Sequence, residues 1–273
     1  MEKFIILTVV MYLLSSAAYL TYLFLQKDRL HKTGYGLFLT GFFSHSIILA
    51  LALIKSGHLP AGNLSGNLLI AGWTLSASFI YFQFKFKLKV MGIFAAPLAG
   101  LIMIQVSGLN WEPMPVKTIF NNFWFVLHIV TVFSGEAMFA LACAAGILYL
   151  TQEHAIKTKQ RGFFFNRLPS LELLDTTGYA CIAAGFTLLT IGLITGLVYA
   201  KVVWGRFFGW DPKEIWSGIS WILYAVLLHE RLTVGWRGRK AAIWSIIGFA
   251  VLLFTFFGVN FLLEGHHGEF TRW

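Results

Sequence analysis

The segment TGYACIAAGFTLLTIGLITGLVYA, residues 177–200, contains no charged side chain and is followed closely by the aromatic and charged stretch WGRFFGWDPKEIW, residues 204–216. A helix needs about 20 consecutive apolar residues to cross the core of a bilayer. The composition agrees, because 58% of the 273 residues are hydrophobic and 12% are charged, against about 25% charged residues in soluble domains. The sequence therefore predicts an all-α, polytopic integral membrane protein.

Apolar runs bounded by charged residues or by Gly and Pro recur along the chain and predict about eight transmembrane helices. They cover residues 4–25, 34–55, 66–84, 90–107, 123–150, 177–200, 214–231 and 241–262. We expect residues 1–273 to form a single membrane domain, with four spans in residues 1–107 and a functional core in residues 108–273 that includes the loop 201–216.

The basic residues predict the orientation of these helices. With eight alternating spans, 14 of the 21 Lys and Arg residues fall on one side of the membrane and 7 on the other. An excess of Lys and Arg marks the cytoplasmic side, so we expect both termini and the stretch 204–216 on the outer side. The net charge of +9 comes from these dispersed loop residues, and we expect no binding to nucleic acid.

The two cysteines, Cys143 and Cys181, both lie inside apolar runs. Their spacing excludes a Cys-x-x-Cys redox motif, and their surroundings disfavour a disulfide or a thiolate metal site. We expect both to be buried packing residues.

The stretch 204–216 has the properties of a platform for a flat, apolar ligand. Trp204, Phe207 and Phe208 have helical i, i+3, i+4 spacing, which predicts one aromatic face. Gly205 and Gly209 would let a ligand approach the backbone closely. The alternative is an aromatic belt at the membrane interface, where Trp is common in any case.

The charged residues of the stretch predict the start of a helix and include two basic side chains. Pro212 suits the first turn of a helix, and Glu214 would lie near its positive end. Arg206 and Lys213 could pair with carboxylates on a ligand, and an aromatic platform with nearby cations makes haem the leading ligand class.

The run W-G-x-F-F-x-W-D-P-K-E-x-W resembles the tryptophan-rich "WWD" signature of the cytochrome c assembly family of haem-handling membrane proteins, and its D-P-K-E part is similar to the CcsA/ResC branch of the system II synthetases. The similarity extends over residues 59–97 and the ending 259–262 before a Gly-x-His. Phe208 stands where the signature commonly has Trp, which keeps an aromatic surface but loses an indole N–H donor. The cofactor-binding residues that the resemblance implies in this stretch are Trp204, Arg206, Phe208, Trp210, Asp211 and Trp216.

The resemblance also implies histidine ligands for haem iron on the outer side. His128 matches the first and His267 the second, with His266 as a rival for the second position. Both positions fall on the side that the charge count assigns to the stretch 204–216. Neutral imidazoles are natural axial ligands for haem iron.

Two further histidines and one acid are predicted deeper in the membrane. His229 resembles the family's transmembrane histidine, where haem would enter on its way outward, and is a third candidate ligand. His45 could be its partner, although the predicted helix boundaries put the two at depths that differ by about 13 Å. Glu136 is expected to be neutral and hydrogen-bonded.

The function that the resemblance implies is transport of haem b to the outer face and its covalent attachment to an apocytochrome c Cys-x-x-Cys-His motif. The implied partners are a ResB/CcsB-type membrane subunit and a thiol-reducing pathway, and the implied location is the bacterial cytoplasmic membrane. The chain would then be part of a cytochrome c synthetase, or haem lyase. Three alternatives remain open: a HemX-like accessory protein of haem synthesis, a haem exporter without attachment activity, and a structural or quinone-binding subunit.

Overall fold

The computed structural model describes residues 1–109, 122–158, 163 and 165–258. Each of the eight apolar runs overlaps one α-helix, so the prediction of a polytopic, all-helical membrane protein is confirmed. The helices are α1 (Glu2–Leu25), α2 (Asp28–Ser56), α3 (Leu64–Phe86), α4 (Gly92–Gly108), α5 (Phe123–Lys157), α6 (Leu171–Trp204), α7 (Pro212–Thr233) and α8 (Arg239–Leu253), the last continuing into a π turn, Phe254–Gly258.

Six of the helical segments are long and apolar enough to cross a membrane. They are α1, α2, α5, α6 and the segments Lys89–Gly108 and Arg239–Gly258, which contain α4 and α8. The other two helices, α3 and α7, fall short of that standard within the described residues. The total of eight spans and the outward position of the termini stay predictions.

Local capping signals set several helix ends, and they explain why α6 is longer than its apolar run. The side chain of Ser170 accepts a hydrogen bond from the backbone N–H of Leu173, so α6 begins six residues before the predicted span. Gly205 ends it with a φ of 74°, a left-handed conformation that glycine adopts at little cost. Asn63 and Asn122 cap α3 and α5 in the same way as Ser170.

Consecutive helices pack antiparallel, because short connections join most of them. We call one end of the bundle the aromatic end; there residues 57–63 join α2 to α3 and residues 205–211 join α6 to α7. We call the opposite end the basic end; there residues 26–27, 87–91 and 234–238 join α1 to α2, α3 to α4 and α7 to α8, and there α5 ends and α6 begins. The segment between the fourth and fifth predicted spans falls mainly on residues 110–121, outside the described part of the chain.

The α5–α6 interface is the most extensive contact between two helices, and glycine makes it possible. A Cβ on Gly135 would lie 3.0 Å from the carbonyl oxygen of Gly185, and a Cβ on Gly185 would lie 2.9 Å from the Phe139 ring. Small residues of this kind let two membrane helices approach closely and gain dispersion energy.

The N-terminal helices α1–α4 form a bundle that meets α5 through α3. The hydroxyl of Thr74 on α3 donates to the carbonyl oxygen of Phe133 on α5, 3.3 Å away. The prediction that Cys143 and Cys181 are buried packing residues is confirmed, since both are free thiols inside the core.

Candidate functional site

A cavity of about 260 Å³ opens at the aromatic end between α5, α6, α7 and the π turn. Most of its wall is apolar and aromatic, with a small number of polar side chains, which is the usual make-up of a small-molecule site. The ionisable residues in its wall are His128, Glu136, Tyr199, Lys213 and Glu214.

His128 enters the cavity from α5 with a fixed ring orientation. Its Nδ1 lies 2.7 Å from the carbonyl oxygen of Gly192 on α6. A carbonyl can only accept, so Nδ1 carries the proton and the neutral ring has its lone pair on Nε2. Gly196 makes room for the ring, since a Cβ there would lie 2.7 Å from Nδ1. An imidazole oriented in this way by a backbone carbonyl is typical of histidines that ligate metals.

The predicted helical face of Trp204, Phe207 and Phe208 is wrong. Gly205 ends α6 immediately after Trp204, so the two Phe residues belong to an irregular loop. All three side chains nevertheless line the same cavity. The sequence grouped three aromatics that line one cavity, but the backbone that brings them together is a turn.

The charged residues at the end of the stretch form the start of α7. The side chain of Asp211 accepts from the N–H of Lys213, and the side chain of Glu214 accepts from the N–H groups of Asp211 and Gly209. With Pro212 in the first turn, this is a complete capping box. The predicted positions of Pro212 and Glu214 at the helix start are confirmed, and the role visible for Asp211 is that of an N-cap that is 5% exposed.

The remaining residues of the stretch surround the cavity without lining it. Trp210 is 78% exposed and contacts the Phe208 ring edge-on at 5.2 Å. Its φ of 58° is unusual for a bulky residue, and such strain is often found at functional loops. Trp216 packs edge-on against Phe254 of the π turn at 4.6 Å, and Arg206 is exposed.

Glu136 and Lys213 face the cavity from α5 and α7. The sequence predicts a hydrogen bond for Glu136, but none is formed to another described residue. The side chain of opposite charge in the same cavity wall is Lys213, and its ammonium lies 6.0 Å from the centre of the Phe256 ring.

His45 lies outside this cavity, in the core of the N-terminal bundle. It is completely buried, with Nδ1 3.3 Å from the hydroxyl of Tyr12 and Nε2 3.0 Å from the carbonyl oxygen of Leu69. Both ring nitrogens therefore take part in helix packing.

His229 lies one turn before the end of α7 at the basic end and is exposed on the helix surface. The structure does not bring His229 together with His45 or with the cavity. His266 and His267 lie outside the described residues, which end at Gly258 in the π turn.

Sequence reasoning missed several wall residues, including Tyr199, Phe125 and Asn67. The Tyr199 ring packs against Phe125 at 5.2 Å and against Trp204 at 6.1 Å, and so supports the aromatic wall from behind. Helical register could have found part of the wall, since residues 128, 132 and 136 repeat every four positions along one face of α5.

The sequence and the fold of this chain are both similar to those of known proteins. A family model described as "Cytochrome C assembly protein" matches residues 61–267. A protein named cytochrome c biogenesis protein CcsA from Guillardia theta is 31% identical over 265 residues, covering 90% of this chain and 88% of that protein. The protein of the same name from Chlorella vulgaris is 30% identical, with 84% of each chain covered.

A solved structure named cytochrome c haem lyase CcmF has a similar fold, with a TM-score of 0.66. The match covers 98% of this chain and 47% of that one, at 19% identity. The helices described above are therefore a recurring arrangement and not particular to this chain.

Proposed function

The chain belongs to the family of cytochrome c assembly proteins, and from this we propose that it binds haem b in the cavity at the aromatic end and presents it for covalent attachment to apocytochrome c. Its relatives support a role in cytochrome c maturation for this multi-pass membrane protein. The observation that supports the haem site most is the oriented imidazole of His128 in an aromatic cavity.

The chemistry of the wall fits haem. The lone pair of the His128 Nε2 suits an axial position on iron. Trp204, Phe207 and Phe208 offer aromatic surface for the macrocycle, and Lys213 offers a cation for a propionate. The volume of about 260 Å³ is slightly below the roughly 300–1,000 Å³ common for ligand pockets, so the described wall would enclose part of the macrocycle.

The second axial ligand is proposed to be His267, with His266 as the alternative. The described chain ends in the π turn, where Thr255 and Phe256 line the cavity, and His267 follows nine residues after Gly258. Axial ligands chiefly set the redox potential of the bound haem.

An earlier haem position is proposed at His229, which is at the basic end and exposed. The burial of His45 makes it a poor partner for His229, because a ligand would first have to break its two hydrogen bonds. We propose His229 as the residue that meets haem first, and His45 would join it only after the N-terminal bundle rearranges.

The proposed assembly places the aromatic end on the outer side of a bacterial cytoplasmic membrane. There a ResB/CcsB-type subunit would complete a synthetase, and thiols of an apocytochrome Cys-x-x-Cys-His motif, kept reduced by a separate pathway, would attack the haem vinyl groups. Both cysteines of this chain are buried, so the reacting thiols come from the substrate.

A complementation experiment tests the proposed function. A strain that lacks its own gene for this protein receives the wild-type chain, His128→Ala or His154→Ala, and covalently bound haem in c-type cytochromes is measured after denaturing electrophoresis. His154 is exposed at the other end of α5 and serves as a matched control. We expect His128→Ala to lose most holo-cytochrome c and His154→Ala to keep it. Normal holo-cytochrome c in the strain without the gene would exclude an assembly role, and normal levels with His128→Ala would exclude the proposed ligand.

A further inference from the structure

Two side chains that can carry opposite charges, Glu136 and Lys213, face the cavity from different helices. Glu136 lies eight residues after His128 on the same face of α5, which is about 12 Å further along the helix. Lys213 reaches the cavity from the first turn of α7. The cavity wall therefore contains an imidazole, a carboxyl group about two turns further along α5 and an ammonium group from α7.

Among the residues that the structure describes, neither of these side chains has a close ionic partner. Glu136 and Lys213 do not belong to any of the ion pairs with N–O distances within 4.0 Å in the described ranges. Those pairs are Lys89–Asp28, Lys157–Glu153, Arg231–Asp175 and Arg239–Glu153. Glu136 also differs from its acidic neighbours Asp211 and Glu214, whose side chains accept hydrogen bonds from the start of α7.

Charge balance limits what this part of the cavity can bind. Removing a charge from water costs several kcal/mol unless an opposite charge compensates for it. Where Glu136 is ionised in the ligand-free protein, its carboxylate and the ammonium of Lys213 are opposite charges in the wall of one cavity. A ligand carboxylate that pairs with Lys213 leaves one uncompensated negative charge in an apolar site. One proton on Glu136 removes that charge.

We propose that Glu136 and Lys213 form a subsite for an anionic substituent, in which Lys213 pairs with the incoming carboxylate and Glu136 takes up one proton from solvent. The inference rests on the proposed function, because the propionates of haem b supply such carboxylates. Binding and protonation are then linked, so the affinity for the anionic ligand falls as the pH rises.

Other titratable groups face the same region and must be separated from Glu136 in any test. They are His128 and Cys143 from α5, Tyr199 from α6, and Asp211, Glu214 and Tyr224 from α7. The cavity walls contributed by α3, α8 and the π turn are Asn67, Leu252, Thr255 and Phe256, which do not titrate.

The test is a titration of the purified full-length protein with haemin at a series of pH values. For the wild type, the dissociation constant should rise by up to about tenfold per pH unit where Glu136 is charged in the ligand-free protein. Glu136→Gln should lose the part of the slope that corresponds to one proton. Glu172→Gln makes the same change at an exposed position on α6 and should keep the wild-type slope.

Haemin dimethyl ester provides a matched ligand, because its propionates are uncharged. It should bind the wild type without the proton-linked slope. An equal slope for the ester and for haemin, or an equal slope for Glu136→Gln and the wild type, would overturn the inference.

A second measurement needs no variant and covers the case in which Glu136→Gln does not fold. In an infrared difference spectrum of the wild type, haemin should produce the C=O band of a newly protonated carboxylic acid, and the ester should not. Haemin binding without that band rejects the subsite alone. No haemin binding at any pH rejects the proposed function together with the inference that rests on it.

Discussion

At the scale of single residues, the orientation of the His128 ring depends on two glycines of α6. Gly192 supplies the carbonyl oxygen that accepts from Nδ1, and Gly196 supplies the space that the ring occupies. A Cβ at Gly196 would press on the imidazole, and a Cβ at Gly192 would press on the side chain of Val132 on α5. The orientation of the imidazole is therefore set by two residues with no side chain of their own.

Gly196→Ala should weaken haem binding while the protein stays folded. The added Cβ would lie 2.7 Å from Nδ1 of His128, so the ring must move and the hydrogen bond to Gly192 must lengthen. Loss of an orienting bond to a metal ligand typically costs about 10- to 100-fold in affinity. Haemin titration measures the effect, and Gly36→Ala, where a Cβ meets no atom within 4 Å, is the control. Equal affinities of the two variants would show that His128 is not oriented in the way described.

At the scale of elements, the D-P-K-E part of the aromatic stretch is primarily a helix start. Asp211 and Glu214 together satisfy the backbone N–H groups of Gly209, Asp211 and Lys213. The same bonds fix the loop that supplies Phe207 and Phe208 to the cavity. The stability of the first turn of α7 and the shape of the cavity wall thus depend on the same capping box.

Substitutions at Asp211 separate a capping role from a direct role in binding. Asp211→Ala should destabilise the first turn of α7 by about 1 kcal/mol and raise hydrogen exchange there. Asp211→Ser can still cap the helix and should restore protection and haem binding together. If Asp211→Ser restores protection but haem binding stays lost, Asp211 contacts the ligand directly.

At the basic end, an ion pair joins α6 to α7 and to the residue before α8. Arg231 on α7 donates two hydrogen bonds to Asp175 on α6, and Asp175 also accepts from the N–H of Gly238 before α8. The side chains of Arg231 and Asp175 are 11% and 15% exposed, so the pair is largely shielded from water. It joins three chain segments at the end opposite the cavity.

Arg231→Gln should lower the free energy of unfolding by about 3 kcal/mol, because Asp175 would remain as a buried charge without its partner. Thermal unfolding in detergent measures the change. The double variant Arg231→Gln/Asp175→Asn should recover part of the loss, since it removes both charges. A double variant less stable than Arg231→Gln would contradict this account of the pair.

At the scale of the whole molecule, the sequence predicts the helices well and the site only in part. Apolar runs of about 20 residues have few alternatives to a helix in a membrane, and each run became one. The contents of the cavity depend on turns and on helix contacts that no local pattern specifies. Gly205 ends α6, so Phe207 and Phe208 lie in a loop. His45 is buried where α1, α2 and α3 pack together.

Two of the site residues predicted from the sequence line the cavity from helices. His128 and Trp204 lie on helices whose register fixes the direction of their side chains, and both line the cavity. Trp210 lies in the loop after α6, and Trp216 lies on α7 with its ring against Phe254, and neither lines the cavity. Tyr199 was missed because a tyrosine in an apolar run carries no signal that separates a cavity wall from ordinary packing.

The central claim is that His128 is an axial ligand of haem bound at the aromatic end. The most direct measurement is the optical spectrum of the purified full-length protein loaded with haem, compared for the wild type, His128→Ala and the control His154→Ala. The account predicts a Soret band for the wild type and for His154→Ala, and a band that is lost or shifted for His128→Ala. Addition of imidazole should restore the band in that variant by occupying the vacated ligand position. A wild-type protein without a Soret band, or a band that is unchanged in His128→Ala, would contradict the claim.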